Sequence, residues 1–376
     1  MMCYKASPCT IALRTTSTMR LLHAATLVLA VVPAVWSCET DEDCSLNGIC
    51  ILSSDNSTVA ACQCDPGWRT ADCGELDLVP VERWTGYNNT NATGPDFYQQ
   101  GHPSEPTLFH LIIAQMAHGC GLGGWRPFSE VIRAESRTGP RGPFLWAQTL
   151  FSTFRHNPTT IWSPADNAYL LYMIGKDVVP PTTCSSSKFT NEISVARSTD
   201  LRNWSEPIVQ LVGQSNPAPW PLWTEENPTS EMLLAVAEND VYTAATWPGP
   251  YNLTVEADKT VWTEDPFLWR DRRGYWHLLV HYMIDITENN VKYPRWTGPW
   301  TINTQTLAYN TTVLFTDGGR NDYNRRERPK LFFSDDGTMT PLYLINGVQE
   351  MNTSASYTLI QPIGTKWQEY EANLGF

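Results

Sequence analysis

Two adjacent carboxylates stand before a proline at Glu264-Asp265-Pro266, ahead of the aromatic run Phe267-Leu268-Trp269. Carboxylates at the start of a strand are suited to proton transfer, one holding a proton to donate and another ionised to accept. Glu105 stands before Pro106 in the same manner, and Asp96 is the alternative if the first hairpin begins at Pro95. Successive strand residues point to opposite faces, so Glu264 and Asp265 are expected to diverge. Other polar side chains sit at comparable places: His156 and Asn157 before Pro158, Asn216 before Pro217, and Arg326 and Arg328 before Pro329. The arginine forks suit a carboxylate or sulfate on a ligand, or an ion pair with Glu327. Trp125 and Arg126 follow the glycine-rich run Gly119-Cys120-Gly121-Leu122-Gly123-Gly124. An aromatic face there suits stacking on a ring, and core packing is the alternative. His110 and His277 recur at one place in their units, which points to packing. No metal-type histidine pair occurs, so no metal and no cofactor are expected.

The elements that must position these residues repeat. Prolines 106, 158, 217, 266 and 329 are 52, 59, 49 and 63 residues apart, and each precedes two apolar runs. That period fits one four-stranded propeller blade. Short β runs follow the hairpins: Ile132-Arg133-Ala134-Glu135-Ser136, Ile193 to Ser198, and Tyr242-Thr243-Ala244-Ala245. Gly142-Pro143-Phe144 and Gly249-Pro250-Tyr251 turn the chain after two of them, and Trp296-Thr297-Gly298-Pro299-Trp300 marks the fourth unit. They read as outer strands. Trp (16), Tyr (15) and Pro (27) are abundant and charged residues are 17% of the chain, which favours a rigid β protein over a helical bundle. The expected fold is all-β: a five-bladed β-propeller over 80–376. Either Leu76 to Val81 or Tyr357 to Ile363 supplies its closing strand.

The first 37 residues read as a secretory leader. Arg20 precedes an apolar run from Leu21 to Val35, and Val35 and Ser37 suit cleavage before Cys38. No second run is long enough to span a membrane. Six cysteines follow within residues 38–74: Cys38, Cys44, Cys50, Cys62, Cys64 and Cys73. So short a segment cannot bury a sufficient core, and a disulfide scaffold is expected. Cys120 and Cys184 are left to bridge two blades. Sequons at Asn56, Asn88, Asn91, Asn203, Asn252, Asn310 and Asn352 fit a glycosylated, extracellular chain. The leader carries Lys5, Arg14 and Arg20 and no acid, so the remainder stands at −16 against −13 for the whole. Such a charge disfavours nucleic acid as a partner.

Two resemblances sharpen these expectations. Cys62-Gln63-Cys64-Asp65-Pro66-Gly67-Trp68 followed by Cys73, with Asn47-Gly48-Ile49-Cys50 before it, resembles an EGF-like domain. That implies the pairs Cys38–Cys50, Cys44–Cys62 and Cys64–Cys73 and a spacer or a module for an extracellular protein partner. Glu39, Asp41, Glu42 and Asp43 lie between the first two cysteines, unlike the acids of calcium-binding modules, and read as a solvated loop. The repeat units resemble the five-bladed glycoside hydrolases of family 43, the arabinanase and β-xylosidase type. Carrying the resemblance are the alanine-x-serine of Ala134-Glu135-Ser136 with its Gly-Pro-aromatic turn, and the acid-x-Pro of Glu264 with the later Gly274-Tyr275. The resemblance implies a base in the first blade, an acid in the fourth and a third carboxylate that tunes it. Glu264 falls where the general acid belongs, and Glu105 is the candidate base. Asn216 and Ala218 stand where an aspartate is expected, and His156-Asn157-Pro158 also departs from the pattern. Asp240 or Asp322 could replace the missing member. The implied function is a secreted carbohydrate-active propeller hydrolysing a wall polysaccharide. The alternative is a non-catalytic glycan-binding or adhesion protein with an EGF-like spacer.

Overall fold

The computed structural model describes residues 37–51, 60–88, 92–99, 107–188, 190–257, 262–282, 287–293 and 300–376. Residues 1–36, nearly all of the expected leader, and Glu105, Asn56 and Asn91 lie outside them. The chain is all-β, and among the described residues five antiparallel sheets of three or four strands follow one another along it, beside three two-stranded ones. Sheet I comprises Ala92–Gln99, Phe109–Met116, Ser129–Ser136 and Leu145–Phe151. Sheet II comprises His156–Ser163, Ala168–Ile174, Glu192–Ser198 and Ile208–Val212. Sheet III comprises Ala218–Pro221, Met232–Ala235, Val241–Ala244 and Asn252–Val255, and sheet IV comprises Thr263–Arg270, Trp276–Tyr282, Thr287–Tyr293 and Thr301–Tyr309. Sheet V has three strands, Arg325–Phe333, Pro341–Gln349 and Ser356–Pro362.

The short apolar runs explain the strands. Phe109–Met116 and Ala168–Ile174 are almost wholly buried, as expected of strands covered on both faces. First strands of successive sheets touch, I to II through IV to V, and sheet V touches sheet I again. Side chains from the inner strands of each sheet fill the gaps between sheets. Leu170, Tyr172 and Val195 of sheet II pack with Met232 and Leu234 of sheet III, and Ala218 and Leu233 of sheet III pack with Leu268 and Leu278 of sheet IV.

The first unit begins earlier than the proline spacing predicts. Its first strand is Ala92–Gln99, which pairs with Phe109–Met116 across a register shift between Thr93 and Pro95. The equivalent proline is therefore Pro95, preceded by Gly94, and not Pro106. The cause is visible in the residues: Ala-Thr-Gly-Pro-Asp-Phe-Tyr-Gln has no continuous apolar run, so the hydrophobic signal starts only at the second strand. With Pro95 the spacings become 63, 59, 49 and 63 residues.

Of the two candidate closing segments, the second is the outer strand of sheet V, and the first meets it through the bridge from Leu78. Ser356–Pro362 is its third strand, and Leu78 and Tyr87 bridge to Ile363 and Thr358 beside it. A C-terminal helix, Lys366–Leu374, was not expected from periodicity. Gly375 ends it in the left-handed conformation (φ 86°), where glycine has no Cβ to clash. Tyr370, Trp367 and Leu374 lay it on the core shared by sheets I and V.

Disulfides join Cys38–Cys50, Cys44–Cys62, Cys64–Cys73 and Cys120–Cys184. The cysteine module is docked rather than extended as a spacer. Cys38, Cys44, Trp68, Cys73 and Leu76 share one core with Trp269, Leu279, Leu331 and Ile363. Arg273 reaches into the module to donate to the Gly48 carbonyl (3.0 Å) and the Asp65 carboxylate (2.7 Å). Trp68→Ala is therefore expected to cost about 3–5 kcal/mol. A denaturant titration that leaves stability unchanged would show that the shared core contributes nothing. Among the described sequons, Asn88, Asn203, Asn252, Asn310 and Asn352 are all exposed. No described helix is long and apolar enough to cross a membrane.

Candidate active site

In each sheet the first strand starts beside the end of the second, so residues just before the five prolines gather at one side of the ring. There Asn157, Asn216, Asp265 and Arg328 share an unusual backbone. Their φ angles are 47°, 55°, 52° and 56°, and a proline follows each. Asn and Asp tolerate the left-handed region, while an arginine there is strained by about 1–2 kcal/mol. Register shifts fall at the same place, between Glu264 and Phe267 and between Glu327 and Lys330.

The four side chains meet. Asn157 Nδ2 donates to Asp265 Oδ1 (3.3 Å), and Asn216 Nδ2 donates to the same oxygen. Arg328 Nε donates to Asn157 Oδ1 (2.5 Å) and lies 3.9 Å from Asp265 Oδ1. Arg328 Nη1 donates to Glu327 Oε2 (2.8 Å). His281, on the strand paired with that of Asp265, places Nδ1 3.7 Å from Asp265 Oδ2. Burial alone would push the Asp265 carboxyl up. Arg328 and His281 outweigh it and hold this carboxyl well below the usual range. Asp265 is thus a buried carboxylate whose surroundings favour its ionised form. Beneath the ring, Pro158, Pro217, Pro266 and Lys330 enclose a recess of 20 Å³, room for about one water.

Strand alternation predicted that Glu264 and Asp265 would part. The bulge and the left-handed Asp265 prevent it. Carboxylate oxygens of both residues and a ring nitrogen of His281 all lie within 4.8 Å of one another. Such a trio could surround a cation, but the Arg328 guanidinium already supplies the positive charge, and no metal is assigned here. Glu264 is partly buried, and its carboxylate accepts no hydrogen bond among the described residues. Burial first, then the Asp265 charge, raises its pKa, against the opposing effects of Arg328 and His281.

His156 lies behind this ring. Its Nε2 faces Arg328 Nη2 (3.1 Å) and its Nδ1 faces Ser129 Oγ (2.7 Å). Arginine offers no lone pair, so Nε2 accepts and the proton sits on Nδ1. Trp125 stacks on the imidazole at 4.7 Å, and Arg126 lies over the Trp125 ring at 4.3 Å. The rim loops that follow the second strands of sheets I and II, which hold Trp125 and Arg126, are tied by Cys120–Cys184. Burial pushes His156 well below the usual histidine pKa, with Arg328 adding to it. A folded-state pKa below the unfolded one means that stability is full above about pH 6.5 and falls as the pH drops below it. Wild type should lose up to about 1.4 kcal/mol per pH unit on this account below pH 6.5. Denaturant titrations at pH 7, 6 and 5 should show a shallower loss in His156→Gln. Equal slopes would remove His156 from the explanation.

The arginine pair does not act together. Arg326 is fully buried and turns away to Asn346 Oδ1 (2.9 Å) and Gln361 Oε1 (2.7 Å), with its guanidinium 4.6 Å from the Tyr309 ring centre. The bulge separates it from Arg328, which two-residue alternation would have kept on its side. Glu327 is held by Arg325 (2.8 Å) as well as by Arg328. His110 contacts Arg133 (3.0 Å), and His277 stacks on Trp269 at 4.8 Å, both inside the core. Asp240 accepts the Ala257 amide (3.0 Å), and Asp322 is paired with Arg320 on an exposed hairpin. Trp262, which drew no attention in the sequence, is 56% exposed two residues before Glu264.

No protein-family model matches the sequence, and no curated protein is significantly similar to it. Solved structures do match. The catalytic domain of the family-62 α-L-arabinofuranosidase of Coprinopsis cinerea aligns over 79% of this chain and 98% of its own, with a TM-score of 0.53 and 12% identity. A thermostable family-43 glycoside hydrolase aligns over 75% and 91%, with a TM-score of 0.50 and 10% identity. The fold is that of the propeller glycoside hydrolases. At these identities the likeness carries the fold alone, and the residues must carry the chemistry.

Proposed function

We propose that this chain is a secreted, carbohydrate-active five-bladed propeller that hydrolyses glycosidic bonds of a wall polysaccharide, with Glu264 as the general acid. The observation that supports this reading most directly is the state of the Glu264 carboxyl. It is partly buried, accepts no hydrogen bond among the described residues and has a raised pKa. Glycoside hydrolysis needs such a protonated carboxyl at the leaving oxygen. The exposed Trp262 ring, two residues earlier in the chain, is suited to stacking on a sugar. Four disulfides suit an oxidising compartment. The family-62 α-L-arabinofuranosidase that shares the fold suggests arabinan and arabinoxylan as first substrates.

A specific observation favours a second reading, glycan binding without cleavage. The first-strand residues before proline are Gly94, Asn157 and Asn216 in sheets I to III, none of which ionises, and both amides are spent on Asp265. Glu105, the candidate base of the first reading, no longer stands at the equivalent place, whereas Asp96 lies on the first strand of sheet I. An oligosaccharide panel scored separately for binding and for release of reducing ends decides between the two. Binding without any release would overturn the hydrolase reading.

A further inference from the structure

We propose that the cleft between the cysteine module and sheets IV and V is a second carbohydrate site, one that takes a single neutral sugar ring at the far end of the strands from Glu264. The inference takes its class of ligand from the reading above and adds a site that the reading does not use.

The cleft has a volume of 160 Å³. That is about half the lower end of the usual ligand-pocket range of about 300–1,000 Å³, a size for one ring and not for a chain of them. It is not an extension of the proline ring. Thr263–Arg270 starts with Glu264 and Asp265, and Trp269 and Asp271 at its other end line the cleft. Seven steps of extended chain span about 20 Å. Arg325–Phe333 runs the same way, with Arg328 at the ring and Phe333 at the cleft. Three parts of the chain close it: Asn47 and Asp65 of the module, the hairpin turns after these two first strands, and Lys366 at the start of the C-terminal helix. The site is incomplete without the module, which accounts for a module docked on the sheets in place of an extended spacer.

The lining decides the chemistry of the ligand. Asp65, Asp271 and Asp336 are matched by Arg272, Arg273 and Lys366. Three carboxylates against three cations leave no net charge, so neither an anion nor a cation is favoured. Leu46, Trp68, Phe333 and Met339 interleave apolar walls with these groups. Apolar walls with a few convergent donors and acceptors suit the mixed C–H and hydroxyl surface of a neutral sugar.

The inner polar groups are committed to the fold. Arg273 donates to Asp65 Oδ2 (2.7 Å) and to the Gly48 carbonyl, while Asp271 accepts the amides of Arg273 (2.9 Å) and Tyr275 (2.8 Å). The outer groups keep capacity for a ligand. The Arg272 side chain is 53% exposed, and its Nη2 lies 3.9 Å from Asp65 Oδ1, beyond hydrogen-bond reach. A hydroxyl both donates and accepts, so it can bridge that carboxylate and that guanidinium. Lys366 is half-exposed, and its ammonium, a donor of three protons, gives one to Glu369 (2.9 Å).

The test is made in Glu264→Gln, so that cleavage does not consume the ligand. In nitrogen-15-labelled protein the indole N–H signals of Trp68 and Trp269 are assigned by their loss in Trp68→Phe and Trp269→Phe. They are then followed by NMR as L-arabinose, D-xylose or D-galactose is added. At least one of these neutral sugars should shift both signals to saturation. Adding Arg272→Ala should weaken that binding about tenfold. Thr338→Trp, which fills the cleft from an exposed position, should abolish it. If either phenylalanine variant fails to fold, the methyl signal of Met339, assigned in Met339→Leu, serves as the reporter. Glucuronate and glucosamine are the charged controls. A response to either of them with none to the neutral sugars overturns the proposal, as do unmoved signals with every sugar or an unchanged affinity in both cleft variants. The outcome is separable from the function proposed above. Release of reducing ends by wild type with unmoved cleft signals would sink this site and leave the hydrolase reading, and shifts in a protein that releases nothing would do the reverse.

Discussion

Replacing Glu264 by Gln is expected to abolish turnover of any glycan the protein cleaves while leaving it folded. A positioned general acid contributes about 10²–10⁴-fold to rate, so the residual activity should fall at least a hundredfold. The amide keeps the shape of the carboxylic acid but has no proton of comparable acidity to give. Folding should survive because the charged form is the one the site disfavours. Burial and Asp265 both penalise an ionised Glu264, so a neutral isostere relieves that penalty at neutral pH instead of adding one. Thermal unfolding of the variant should therefore occur at or above the wild-type temperature. A drop in melting temperature alongside the lost activity would mean that Glu264 is a structural group and that the rate effect is indirect.

Arg328→Met is expected to produce the largest loss of stability of any single change at the ring. The guanidinium contacts Asp265, Glu327, Asn157 and His156 together. Its removal leaves the buried Asp265 carboxylate with only His281 and two amides. Breaking one partner out of a buried pair costs about 3–5 kcal/mol, because the uncompensated charge stays behind. The strained backbone at Arg328 returns about 1–2 kcal/mol only if methionine tolerates φ 56° better, and it does not. Adding Asp265→Asn should recover part of the loss, since a neutral pair leaves no charge stranded. A double-mutant cycle by chemical denaturation measures this, and strictly additive losses would show that the two groups do not interact.

Much of the fold was legible because blades announce themselves through buried second strands. Leu170-Leu171-Tyr172, Met232-Leu233-Leu234 and Leu342-Tyr343-Leu344 are continuous apolar runs, and each is a buried strand. The same signal misplaced the start of the first unit, where the first strand is mixed in polarity and the apolar run belongs to its partner. The C-terminal helix escaped notice because it is short and buries only Tyr370 and Glu371. A glycine one residue past its end was its clearest mark.

At the site, the residue positions were legible and their directions were not. Alternation is a rule of regular strands, and the bulges at Asp265 and Arg328 break it where it mattered most. A signal did exist. Asn157, Asn216 and Asp265 are the residue types that accept a left-handed backbone, and three of them before prolines hinted at one repeated irregular corner. Arg328 has no such tolerance, and only its partners in space explain it.

The most direct test of the account is release of reducing ends from arabinan and arabinoxylan by wild type and Glu264→Gln, with binding to the same glycans measured in parallel. The account predicts release by wild type, none above background in the variant, and binding retained by both. Binding by wild type without release, or equal release by the two proteins, would contradict it.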